Sequence, residues 1–152
     1  MKLHRKLIFI VTASLFSLLL INLSCKKEEK NQWSWCSPCE IALLAGEYSG
    51  KATHYKYIDS LNYTETPNLD AYLNLGVSGS NVSVQCGIVN IYSASYFGHY
   101  QNTHYIEITG SFSRLSSIIW RRGEELKIVG TSRKFDSSGN TIELIDFEVI
   151  RK

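Results

Sequence analysis

LDAYLNLGVSGSNVSVQCGI, residues 69–88, decides the fold. Leu69, Ala71, Leu73, Leu75 and Val77 alternate with Asp70, Tyr72 and Asn74. Successive side chains of a strand point to opposite faces, so this period of two puts one apolar and one polar face on the same strand. Ser78-Gly79-Ser80-Asn81 has the small and polar residues of a tight turn. After it Val82, Val84, Cys86 and Ile88 line one side, with Ser83 and Gln85 on the other. Two half-buried strands joined by a short turn form an antiparallel hairpin that needs a further apolar layer.

Working outward, the same period recurs. Residues 47–58 read as a strand rich in tyrosine and threonine, and 59–68 as a polar loop containing Pro67. A bulge is expected near Val89–Ile91, and 94–102 is looser. Ile106, Ile108 and Phe112 share a face over 105–112. Residues 115–121 turn at Arg122-Gly123 into 125–131, where Leu126 and Ile128 point inward. Asp136-Ser137-Ser138-Gly139-Asn140 is a turn cluster, and 141–151 closes the chain. The expected fold is all-β: an antiparallel meander of seven or eight strands curling into a barrel or small sandwich. Leu73, Leu75, Val77, Val84, Ile106, Ile108 and Ile128 are its expected core. Ahead of it, Ser37, Pro38 and Glu40 have the pattern of a helix start, predicting a short helix over 38–45 that stops at Gly46.

The N-terminal residues belong to another regime. Lys2, Arg5 and Lys6 precede an apolar run over 7–21, too short to be a spanning helix by default. A basic head, an apolar body and a small residue before a cut are the parts of a secretory signal. Leu23-Ser24-Cys25 resembles the lipobox of bacterial lipoproteins, with Asn22 where leucine is usual. That resemblance implies cleavage after residue 24 and acylation of Cys25. Lys26-Lys27-Glu28-Glu29-Lys30 is similar to the export signal of surface-displayed lipoproteins of the Bacteroidota type. The expected organisation is a signal peptide over 1–24, a lipidated Cys25 with a charged tether to 35, and one domain over 36–152. The outer membrane, facing outward or toward the periplasm, is the expected location.

Of 16 basic and 14 acidic residues, Lys2, Arg5 and Lys6 leave with the leader, so 13 face 14. No basic field remains to favour nucleic acid. Gly46-Glu47-Tyr48 behind a short helix resembles the first strand of lipocalin-like β-barrels, with Tyr48 where those proteins carry tryptophan. The resemblance implies an up-and-down barrel from Pro38 to Lys152.

Four groups are candidates for function. WCSPC, residues 35–39, looks like the active site of thioredoxins, which implies a reactive thiol at a helix N-terminus. The surrounding meander is not the α/β context of that family, and a structural Cys36–Cys39 disulfide is the preferred reading. Cys86, on an apolar face, is read as a free buried thiol. His54, His99 and His104 lack metal-ligand spacing and are read as solvated. Tyr55, Tyr57, Tyr96, Tyr100 and Tyr105 are the expected contacts for a small apolar ligand, a glycan or a protein. Asp59-Ser60-Leu61 resembles a short O-glycosylation sequon of secreted Bacteroidota-type proteins. No phosphate loop, nucleophile elbow or paired-carboxylate pattern occurs, so no catalytic residue, metal or cofactor is expected. A non-enzymatic binding module tethered through Cys25 to the bilayer is the favoured function. A tethered thiol–disulfide oxidoreductase is the alternative.

Overall fold

The computed structural model describes residues 32–101 and 103–152. The expected signal peptide, Cys25 and the charged run behind it lie outside the described residues. The compact β-unit spans Trp33–Lys152, so it begins three residues before the expected boundary at Cys36.

Among the described residues nine strands form one curled antiparallel sheet, a half-barrel. In chain order they are β1 (Ser34–Trp35), β2 (Gly46–Tyr57), β3 (Tyr63–Ser78), β4 (Asn81–Ile88), β5 (Tyr92–His99), β6 (Tyr105–Thr109), β7 (Ser113–Arg122), β8 (Glu125–Phe135) and β9 (Thr141–Arg151). Consecutive strands pair as a meander from β2 to β5 and from β6 to β9, and β9 returns to pair with β2. β6 and β1 share the outer edge of β7, β6 along Arg114–Ile118 and β1 at Trp120 and Arg121. Among the described residues no backbone ladder joins β5 to β6.

The register divides the half-barrel into two ends. At the N-terminal end lie β1, a single helical turn α1 (Ile41–Leu44), and the β3–β4 and β7–β8 turns. At the opposite end, the arm end, lie the β2–β3, β4–β5, β6–β7 and β8–β9 turns. The core lies between. Leu73, Leu75, Val84, Ile106, Ile108 and Ile128 are buried as expected, and Val77 packs against them half-buried. Burying each such side chain contributes roughly 1.5–3 kcal/mol.

Two inward-facing glycines permit the curl. A Cβ at Gly50 would collide with the Glu148 carbonyl, and one at Gly130 with Ser117 and the Ser116 carbonyl.

The structure corrects several expectations. The helix is one turn starting at Ile41, and its cap residue Glu40 makes no side-chain capping bond. The disulfide closes residues 36–39 into a loop fixed by the Cys36 amide, which donates to the Ile119 carbonyl at 3.0 Å. Residues 63–68, read as loop, are the start of β3. Pro67 and Asn68 sit at a register shift between Ala52 and His54, Asn68 at φ 62°. Residues 89–91 are a turn rather than a bulge, and Tyr92–His99 is a full strand. Phe112 lies in the β6–β7 turn at 58% exposure instead of on the inner face.

Candidate functional site

The five candidate tyrosines separate. Tyr96 and Tyr100 alternate inward from β5 and its end, so they are core residues rather than contacts. The Tyr96 hydroxyl lies 2.6 Å from Ser132 Oγ of β8, and Tyr92, two inward positions earlier, reaches the same oxygen at 2.7 Å. Cys86 is a free, buried thiol, and burial pushes it up to about 11. The Tyr100 hydroxyl donates to the Cys39 carbonyl at 3.0 Å, and burial raises it to about 12. These rings span the space between β5 and β8. The centre of the half-barrel is thus filled by side chains.

Tyr55 and Tyr57 face outward on β2 and meet Tyr63 on β3. Tyr63 lies 5.6 Å from Tyr55 and 5.5 Å from Tyr57, ring centre to ring centre. Desolvation, then the Glu65 and Asp146 carboxylates, raise the Tyr55 phenol. Beyond Ala71, β3 pairs with β4 on its far side; the preceding stretch pairs with β2 alone. This part of the hairpin is an arm with one free edge. Its tip carries Ile58 at 76% and Leu61 at 86% exposure. The turn is ordered locally: Asp59 Oδ1 accepts from the Leu61 and Asn62 amides, each at 2.8 Å. Those bonds, with Asn62 Nδ2 on Oδ2, hold the Asp59 carboxyl below its usual range.

Tyr105 stands elsewhere, at the N-terminal end, in a patch that sequence reasoning missed. On the outer face of β1, β6 and β7, Trp35 stacks on His104 at 5.1 Å and 7°. Trp35 is the ladder partner of Trp120 and meets it edge-on at 6.2 Å. Tyr105 is the ladder partner of Ile118, two residues along the same face. Trp33 lies under two cations, Arg122 Cζ at 4.6 Å and Lys127 Nζ at 4.9 Å from its ring centre. Trp33 and Trp35 were legible only as the end of a linker. Trp120 is 85 residues away from Trp35, and only the β1–β7 register joins them.

The disulfide lies beneath this patch. Cys36 and Cys39 are bonded, with Cα atoms 5.1 Å apart, and both are almost completely buried. Neither sulfur is at a helix N-terminus, since α1 begins at Ile41.

His54, read as solvated, is 8% exposed. It points inward at the arm end with Nε2 3.7 Å from Glu143 Oε1, and that nitrogen has no hydrogen-bond partner. Lys134 Nζ is 3.4 Å from Glu143 Oε2 and 4.2 Å above the Tyr92 ring centre. This half-buried polar group ties β2, β8 and β9 together. The free cysteine of the core, Cys86, is buried with its thiol raised, and a thiol is a poor nucleophile.

What fold and surface define, then, is a small β half-barrel with a filled interior and aromatic groups displayed at opposite ends. No protein-family model matches the chain, and no curated protein matches it in sequence.

Proposed function

We propose that the protein is a membrane-anchored envelope lipoprotein whose β-domain is a non-enzymatic binding module for a macromolecular partner, a protein or a glycan. The leader pattern ending at Ser24-Cys25 supports the anchor, and the seven residues between Cys25 and Trp33 supply a tether. The filled interior favours contact through the surface over capture of a small apolar ligand. One observation carries the reading. The β2–β3 arm displays Tyr55, Tyr57, Tyr63, Ile58 and Leu61 at the end opposite to where the domain begins. Large rigid rings with one polar handle give contact area at low entropic cost. The burial of Cys36 and Cys39 favours a staple over a redox centre.

The test has two parts. Cys25→Ala should abolish lipoprotein maturation and release the protein from the membrane fraction; unchanged fractionation overturns the anchor. A photo-crosslinking amino acid at Tyr57 or Tyr63 should give a discrete adduct in whole cells, and the same probe at Ser83 should not. Equal adducts at all three positions, or none, overturn the arm as contact surface.

A further inference from the structure

We infer that the tryptophan face of the N-terminal end is a bilayer-docking surface, seated in the headgroup region of the membrane that holds the anchor. The inference rests on the anchored-lipoprotein reading. It starts from the three tryptophans of the chain, Trp33, Trp35 and Trp120, which all fall in one patch although they come from two distant segments. Trp35 is 60% exposed, and Tyr105 and Ile118 extend the apolar surface along β6 and β7. Amphipathic rings of this kind concentrate at the membrane–water interface, where the body is shielded and the polar edge stays wet. Arg122 and Lys127 cover Trp33 with their cations, the arrangement that lets long basic side chains bury their stems and keep the charge at the headgroups.

The length of chain selects this partner. Eight Cα steps separate Cys25 from Trp33, so the face lies within roughly 26–29 Å of the acylated residue even with the tether fully extended. A patch held that close to a bilayer meets it at high effective concentration. The charges also choose the mode of contact. Arg122 is paired with Glu125 at 2.9 Å and Lys127 with Glu148 at 3.3 Å. The face is therefore nearly neutral, and its attraction is aromatic partitioning rather than adsorption to anionic lipid. Docking in this orientation turns the tyrosine arm away from the membrane, since it lies at the other end of the half-barrel.

Because the tryptophans occupy only this face, their emission reports on it alone. The full chain, matured in a bacterial host and purified in detergent, is reconstituted into phosphatidylcholine vesicles. The lipids carry bromine either near the headgroup or near the chain end. Intact mass and vesicle flotation first establish acylation at Cys25. The expected result is a blue-shifted emission, quenched roughly two-fold more by the shallow bromines than by the deep ones, and insensitive to salt. Trp35→Ala with Tyr105→Ala should lose most of the shift while the thermal midpoint is kept. Floating, acylated protein with water-like and unquenched emission overturns the docking face and leaves the anchor standing. Emission that stays water-like on vesicles but shifts on adding soluble oligosaccharide overturns it in favour of a glycan site. Protein with an unmodified Cys25 that fails to float overturns the anchor, and this inference with it.

Discussion

The segments that close the two ends of the half-barrel are held in different ways. The N-terminal end is held by contacts between residues far apart in the chain. Arg151 Nη1 donates to the Leu43 carbonyl at 2.6 Å, the Cys36 amide to Ile119, and the Tyr100 hydroxyl to Cys39. A local bond adds to these: the Tyr48 hydroxyl donates to the Leu44 carbonyl, four residues earlier, at 2.7 Å and ties α1 to β2. The β2–β3 and β8–β9 turns of the arm end are closed by local bonds. Asp59 organises the β2–β3 turn, and Asp136 organises the β8–β9 turn by accepting from the Ser138 and Asn140 amides at 2.8 Å. Order that comes from tertiary contacts is cooperative with the whole domain, whereas a turn closed by its own residues opens separately. The contrast suits one end for a fixed face and the other for an adaptable contact.

The strongest way to break the contrast is to remove the core shared by both ends. Leu73→Asp puts a charge at a position that is 1% exposed, and the domain should unfold, with loss of the far-UV spectrum. Asn74→Asp, on the outer face of the same strand, should leave the melting curve unchanged. Next is the staple. Replacing Cys36 and Cys39 together by serine should cost about 2 kcal/mol, the loop-closure value for so short a ring. Hydrogen exchange should rise at β1 and α1 while the arm amides keep their rates. Equal acceleration at both ends would abolish the contrast.

Between the ends, Ser132→Ala should cost about 1–3 kcal/mol in urea unfolding, because it strips Tyr92 and Tyr96 of their common buried partner. The same pocket makes stability depend on alkaline pH. The Cys86 thiol is raised to about 11 in the folded state, against ~8.5 for an exposed thiol. The unfolded chain therefore gives up this proton first as the pH rises. The contribution is fully present below about pH 8.5 and is lost progressively up to about pH 11, by at most about 1.4 kcal/mol per pH unit. Cys86→Ala should flatten that part of the urea-midpoint profile. The smallest effect belongs to the arm: Asp59→Ala should cost only about 0.5–1 kcal/mol globally. Exchange at residues 58–63 should nevertheless rise more than anywhere else.

Much of the scaffold was legible. The residues 69–88 hairpin alternates cleanly, and so do its buried positions in the folded domain. Strand β5 was not legible because its inward residues are Tyr92, Ala94, Tyr96, Gly98 and Tyr100. Hydropathy assigns none of these to a core, and tyrosine enters one only when its hydroxyl finds a partner. The start of β3 was hidden by Pro67 and Asn68, which read as loop but occupy a register shift on a strand whose far edge is free. His54 was misplaced for a related reason: its inward position follows from strand parity, while its polarity argued for solvent. The helix start at Ser37-Pro38 failed because the disulfide takes those residues into a closed loop.

The sequence by itself determined the all-β class, the hairpin, the closing strand and most apolar core positions, because the two-residue period of a strand is written into consecutive side chains. It also singled out Tyr55 and Tyr57 of the arm, though not Tyr63. Only the tertiary structure decided which tyrosines face outward, that Tyr92 and Tyr96 meet at Ser132, and that Trp35 joins Trp120. These depend on which strands become neighbours and in what register. That choice is made by packing and curl over the whole sheet, and no local stretch encodes it.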